Sequence, residues 1–214
     1  KSNVKYFSSK REVNGAYFID NKLYYYDEFI MNRDEFLLKG NHNVENALGA
    51  MMVAKEVGVD NESIVSVLKT FTGVRHRLEF IDKVNGVDYY NDTEATNIKC
   101  TQIALSAFQN NVILILGGLE RGQDFHDLDN FISPVKEIVG IGECRDRVKE
   151  YGDSIGIKAT IYEHLNDAMN YINSVVVDGD TVLLSPASAS WDQYKQCEDR
   201  GDEFRDIVKE LNKH

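Results

Sequence analysis

The chain has 214 residues, 43% of them apolar, with 24 Lys plus Arg against 35 Asp plus Glu, a formal charge of −11 and a pI of about 4.9. That balance excludes a general affinity for nucleic acid or an anionic membrane, so any phosphate-bearing ligand must be met by local basic residues or backbone dipoles. Cys100, Cys144 and Cys197 are odd in number and widely spaced, which fits neither a disulfide framework nor a zinc site and points to a reducing cytoplasm. No apolar run approaches the ~18 residues of a membrane span, and no signal peptide is read. A first residue of Lys1 rather than Met leads us to expect a piece of a longer protein.

In chain order, residues 4 to 28 read as three short strands rich in Tyr and Phe, with Asp20-Asn21-Lys22 turning a hairpin between the last two. From Asn43 the apolar spacing changes to three and four, which predicts two helices separated by Gly58-Val59-Asp60, the second capped by Asp60 or Asn61. Phe71 to Val74 breaks the pattern and marks the domain boundary. Beyond it the expectation is YYND, a helix from Thr96 to Phe108, NVILILGG, a short helix after Asp124, EIVGIG, a helix from Arg145, ATIYE, a helix over Asn166 to Val175, TVLLSP and a long helix to the terminus. Strands alternating with helices imply an α/β fold, a Rossmann-like, mostly parallel sheet with helices on both faces. Residues 75–214 are expected to form this domain, with 1–74 a separate piece of strands and two helices.

The segment from Thr181 to Phe204 carries the strongest site signal, because ligands of open α/β sheets collect beyond the carboxyl ends of strands. There TVLLSPASAS is expected to run from a strand through a small-residue elbow into a helix bearing Tyr194, Arg200 and Phe204, with hydroxyls and helix-start N–H groups at the junction. Gly117-Gly118-Leu119-Glu120-Arg121-Gly122 follows the most apolar strand; it lets a ligand approach the backbone or is ordinary turn chemistry. Arg75-His76-Arg77 is either an anion clamp or a solvated basic turn. Asp92 binds a ribose hydroxyl or a metal-bound water, or caps the next helix. His42, Asn43 and Asn46 sit at a helix start, where the amides read a purine edge or simply cap. Trp191 and Tyr194 are expected to pack the last helix onto the sheet rather than to stack on a ligand. Neither G-x-G-x-x-G nor G-x-x-x-x-G-K-[ST] occurs.

Taken together, Gly40-x-His42-Asn43-x-x-Asn46-Ala47-Leu48, Gly73-Val74-x-His76-Arg77-Leu78, Tyr90-Asn91-Asp92-Thr93-x-Ala95-Thr96-Asn97, Gly117-Gly118-Leu119-x-Arg121-Gly122, Leu184-Ser185-Pro186-Ala187-x-Ala189-Ser190-x-Asp192-Gln193-Tyr194 and Arg200-Gly201 resemble the Mur ligase family. The segment YNDTEATN is most similar to the D-glutamate-adding branch. The resemblance implies ATP-dependent amide synthesis in peptidoglycan precursor assembly, with ATP, Mg2+, D-glutamate and UDP-N-acetylmuramoyl-L-alanine as the molecules handled. By the same resemblance, Asn43 and Asn46 contact adenine, Arg77 and Asp92 grip phosphate and ribose, and Thr96, Arg121, Ser190 and Trp191 form the D-glutamate pocket. Residues 1–74 would then end a central ATP-binding domain and 75–214 form the amino-acid-binding domain.

The family's P-loop and its magnesium ligands precede the region that this chain resembles, so no catalytic or metal residue is assigned here, and the chain alone is expected not to ligate. Two readings compete with the ligase fragment: a stand-alone Rossmann-like metabolite-binding module, and a ligase like the folate polyglutamating enzymes. Glu94 departs from the family pattern D-S-K-A-T-N by reversing a charge near the nucleotide phosphates, which is expected to weaken ATP closure; Arg77 or another base is the expected partner of Glu94.

Overall fold

The computed structural model describes residues 4–38 and 40–212, and the chain divides between Thr72 and Gly73 into two compact units. In the first unit, strands β1 (Tyr6–Ser8), β2 (Gly15–Ile19), β3 (Lys22–Tyr25) and β4 (Glu28–Asn32) form one sheet in that order, β1 parallel to β2 and the rest antiparallel. Asp20 and Asn21 turn the β2–β3 hairpin with φ of 47° and 61°, a left-handed conformation that short polar side chains tolerate. β4 is an addition to the three expected strands. Its turn places Tyr26 at φ 52°, where no glycine or asparagine announces the reversal.

Helices α1 (Asn41–Glu56) and α2 (Asn61–Thr70) complete this unit. The Asp60 side chain caps α2, accepting the Ser63 amide at 2.7 Å. Val44, Leu48, Met51 and Met52 of α1 close over Ala16, Leu23 and Met31 of the sheet, and Ile64 and Leu68 of α2 join them.

The second unit is a six-stranded sheet in the order β5-β6-β10-β7-β8-β9. Its strands are β5 (Glu79–Val84), β6 (Val87–Asn91), β7 (Val112–Gly117), β8 (Val135–Ile141), β9 (Lys158–Ile161) and β10 (Thr181–Leu184). Five are parallel, and β5 runs antiparallel to β6 at the edge. β5 was not expected from the sequence, although Asn85 (φ 50°) and Gly86 (φ 83°) form the Asn-Gly turn that most strongly signals a hairpin.

Side-chain alternation divides the core in two. Tyr90, Leu114, Leu116, Ile138 and Leu183 point to the face covered by α3 (Ile98–Leu105) and α4 (Arg145–Ser154). Tyr89, Ile113, Ile115, Val139, Val182 and Leu184 point to the face covered by α5 (Leu165–Val175) and α6 (Cys197–Leu211). Every residue of β7 is buried, because helices cover both sides of it; hence its uninterrupted apolar run.

Three expectations need correction. α3 is shorter than residues 96–108, because the Asn97 side chain caps it by accepting the Cys100 amide at 3.1 Å. The helix expected after Asp124 is a single 3-10 turn, Phe125–Leu128. The last helix does not follow the Pro-Ala-Ser-Ala-Ser run directly but begins at Cys197, so Tyr194 lies in a loop and no helix-start amides stand at Ser190. Ala187 at φ 54° and a turn in which the Ser190 carbonyl accepts the Gln193 and Tyr194 amides, at 3.0 and 2.8 Å, delay the helix.

Candidate functional site

β10 enters the sheet between β6 and β7, so the crossover through α3 and the return through α5 lie on opposite faces. The loops beyond the carboxyl ends of these strands part there, as they do at the switch points where open α/β sheets bind ligands. The loop after β10 is unusual in that residues 185–190 are all buried. Its backbone must therefore be satisfied internally. The Gly117 amide donates to Pro186 O at 2.8 Å and the Leu119 amide to Ala189 O at 2.8 Å.

The Thr101 hydroxyl donates to Ser185 O at 3.2 Å, and Arg200 reaches Ser188 O. Arg200 is 1% exposed, and its guanidinium donates Nε to Thr93 Oγ1 (2.9 Å) and Nη2 to the carbonyls of Thr93 and Ser188 (both 3.1 Å), with Nη1 3.4 Å from Gly117 O. One side chain thus ties together the ends of β6, β7 and β10. Burial lowers its pKa to about 10, which leaves it charged near neutrality. Gly201 follows because a Cβ there would meet the His76 ring, and would lie 2.6 Å from Thr93 Cγ2 and 3.0 Å from Asn91 Nδ2. The one sequence signal for this role is an arginine in a helix otherwise packed by Phe204 and Val208.

Asp92 is 8% exposed, and both of its carboxylate oxygens have partners: Oδ1 accepts the Leu78 amide at 2.9 Å and Oδ2 the Ser185 hydroxyl at 2.7 Å. Desolvation pushes it up to about 7 against those bonds and the nearby Arg77. It caps no helix, since Asn97 holds that position. Arg77 is 68% exposed at its side chain and meets Glu94 at 3.7 Å, the pairing expected from the charge reversal.

A cleft of about 660 Å3 opens beside this framework, lined among others by Thr96, Asn97, Lys99, Arg121, Gln123, Ser188 and Ala189. Thr96 and Arg121 come together in it. Arg121 is exposed and lies over the Trp191 ring, 4.7 Å from its centre. Trp191 is 62% exposed and therefore does not pack the last helix onto the sheet, contrary to expectation. Tyr194 does reach that helix, donating its hydroxyl to Glu203 at 2.7 Å. Ser190 lies beneath the surface, 1% exposed, with an Oγ that has no hydrogen-bond partner, a vacant polar atom of the kind that substrate contacts or water satisfy. Ser188 and Gln123, bonded to each other, line the cleft and were missed. Neither carries a formal charge that would single it out in a sequence.

A second cleft of about 640 Å3 is lined by Glu143, Glu163, Asp167, Asp192 and Glu203 against Arg145 and His164. Its five carboxylates against one arginine make it unfavourable for an acidic ligand. Among the described residues one group brings three possible metal donors within 4.8 Å, Glu94, Cys197 and Glu198. Burial, with Glu198 and Glu94 beside it, raises the Cys197 thiol to about 11. A protonated thiol does not suit Mg2+, which takes oxygen ligands, and Glu198 is accounted for by the first turn of α6.

In the first unit, α1 is capped by Gly40 (φ 85°), with no side-chain cap bond, so neither Asn43 nor Asn46 caps it. Asn46 is exposed and donates Nδ2 to Asn43 Oδ1 at 3.4 Å. Beside them His42 Nδ1 is buried without a partner, and burial lowers the imidazole pKa.

Residues 76–188 match the Mur ligase, glutamate ligase domain family, and the chain belongs to that family. Relatives named UDP-N-acetylmuramoylalanine--D-glutamate ligase include one from Lactococcus lactis subsp. cremoris strain MG1363, 43% identical over 99% of this chain and 47% of the relative. Another, from Streptococcus pneumoniae serotype 19F strain G54, is 46% identical over 96% of this chain and 46% of its own length. The chain therefore spans about half the length of the curated relatives it matches. Among solved structures, a pseudomurein peptide ligase type C from Methanothermus fervidus aligns with a TM-score of 0.65 at 17% identity, over 94% of this chain and 42% of that one. UDP-N-acetylmuramate-alanine ligase MurC from Thermotoga maritima aligns with a TM-score of 0.60 at 17% identity, over 81% and 39%. At that identity these two establish the fold alone.

Proposed function

We propose that this chain is the carboxyl-terminal part of an ATP-dependent ligase that joins D-glutamate to UDP-N-acetylmuramoyl-L-alanine during peptidoglycan precursor synthesis in the cytoplasm. The observation that carries the reading is Arg121, a cation without an ion pair among the described residues, beside Thr96 in a cleft at the switch point. A glutamate brings two carboxylates, and a guanidinium fork with a neighbouring hydroxyl is suited to one of them. Thr96, Arg121, Ser190 and Trp191 form the acceptor site in this proposal.

Residues 1–74 are proposed to end the central ATP-binding domain, with Asn43 and Asn46 toward the adenine, and 75–214 to be the amino-acid-binding domain. Arg77 and Asp92 are assigned to the nucleotide, Arg77 as the exposed cation and Asp92 through the turn it holds at Leu78. In the intact enzyme ATP transfers its γ-phosphoryl group to the muramoyl-alanine carboxylate; the D-glutamate amine attacks the acyl phosphate, the new amide forms and phosphate leaves. Mg2+ supplies charge neutralisation for the phosphoryl transfer, from ligands that are expected outside this chain. What these residues contribute is orientation: the acceptor is held by its carboxylates so that its amine is presented uncharged.

The test is titration of the 214-residue chain with D-glutamate, L-glutamate and D-alanine. D-glutamate is expected to bind and the others to bind more weakly or not at all; equal binding of all three would sink the acceptor assignment. With all substrates present the chain is expected to make no product. ADP release that depends on D-glutamate would overturn the fragment reading.

A further inference from the structure

Arg121 and Trp191 lie on different strand-end loops, after β7 and β10, yet the Arg121 guanidinium carbon stands 4.7 Å from the centre of the Trp191 ring. The backbone around Arg121 is held: its amide donates to Gln123 Oε1 at 3.1 Å, the Gly122 amide to Glu120 Oε1 at 2.6 Å and the Leu119 amide to Ala189 O at 2.8 Å. Neither its chain neighbour Glu120 nor Asp124 and Asp127 of the cleft lining forms an ion pair with it among the described residues. Glu120 is bridged by Arg147 at 2.6 Å, and Glu143 accepts the Glu120 amide at 3.2 Å. Trp191 is 62% exposed, so core packing does not account for where it sits.

A guanidinium has two separate binding surfaces. Its flat face stacks on an aromatic ring, while all of its N–H donors lie in the plane at the edge. Stacking therefore consumes no donor, and a carboxylate can still take two parallel N–H···O bonds.

We propose that Trp191 is a positioning residue, whose ring holds the Arg121 guanidinium at the cleft wall and leaves its in-plane fork free to take a carboxylate of the acidic amino-acid acceptor. The proposal rests on the assignment of Arg121 to the D-glutamate site. It separates Trp191 from the groups that touch the ligand, and it makes lysine a poor substitute for Arg121, since an ammonium has neither a flat face nor a fork.

The experiment uses the 214-residue chain, with D-glutamate titrated into the millimolar range and followed by NMR, and with the Arg121 side-chain N–H resonance as a second readout. The ring current is expected to shift that resonance in the wild type, and Trp191→Leu to abolish the shift. Trp191→Leu should weaken D-glutamate binding about three- to fivefold, the scale of an exposed cation–π contact. Trp191→Tyr should restore most of the affinity. In an Arg121→Gln background Trp191→Leu should change the affinity no further. An equal loss in both backgrounds would mean that Trp191 touches the ligand directly and would overturn the proposal, as would an unshifted Arg121 resonance in the wild type. A shifted resonance, lost in Trp191→Leu, in a chain that binds no D-glutamate would uphold the stacking and remove the acceptor assignment instead.

Discussion

Asp92 shows how a single residue can hold a site together at an electrostatic cost. Its carboxyl is buried between the Leu78 amide and the Ser185 hydroxyl, with a pKa of about 7 where an unfolded aspartate titrates at about 3.9. Over that window the folded state holds the proton and the unfolded state releases it, so this group makes stability fall as pH rises from about 4 to about 7. Asp92→Asn keeps an acceptor for Leu78 and removes the titration. The difference in thermal stability between pH 5 and pH 8 should therefore shrink in the variant, by an amount on the order of a few kcal/mol. Equal pH dependence in the two proteins would show that Asp92 is not the group responsible. Arg200→Met leaves the carbonyls of Thr93 and Ser188 without their buried donor. The expected loss of stability is about 1–3 kcal/mol for each orphaned carbonyl, read as faster hydrogen exchange of the Gly117 and Leu119 amides. At Glu94 the pair with Arg77 at 3.7 Å competes with any phosphate for the same cation. In the intact enzyme Glu94→Lys should lower the KM for ATP severalfold, and an unchanged KM would make this charge irrelevant.

At the level of elements, what the sequence made legible depended on whether the signal was local. Asp20-Asn21 turned its hairpin and Asp60 capped α2 as expected, because a two-residue turn and a cap are settled by side chains next to the backbone they serve. Asp60→Ala should destabilise the first unit by about 1 kcal/mol in thermal unfolding. β5 was overlooked beside a clear Asn85-Gly86 turn, whereas β4 had no comparable turn signal. The loop after β10 defeated the local reading for another reason. Small residues after a strand resemble a helix start, but here they are buried, and their carbonyls are taken by β7 backbone and by Arg200 from 12 residues further on. Ala187 carries a left-handed φ of 54° in that loop. Ala187→Gly should be neutral or stabilising by up to about 1 kcal/mol, and a clear loss of stability would show that the methyl group's packing outweighs the strain.

For the whole molecule, each unit has its own core, the first around Leu23, Met31, Leu48 and Met51, the second on the two faces of the six-stranded sheet. Residues 73–214 expressed alone should therefore unfold cooperatively with native-like circular dichroism; a molten, dye-binding product would show that the second unit depends on the first. Among the described residues no helix is long and apolar enough to cross a membrane, in keeping with the composition. The sequence by itself determined the α/β alternation, most of the helices and strands and the family, because periodicity, turn residues and ordered motifs are written along the chain. It also singled out Thr96 and Arg121, which the fold places in the lining of one cleft. The insertion of β10 between β6 and β7, the buried Arg200 that joins three strand ends, the seat of Arg121 on Trp191 and the burial of Ser190 were decided by tertiary structure alone. Each of these brings together residues far apart in sequence, and no local pattern records which strands will be neighbours.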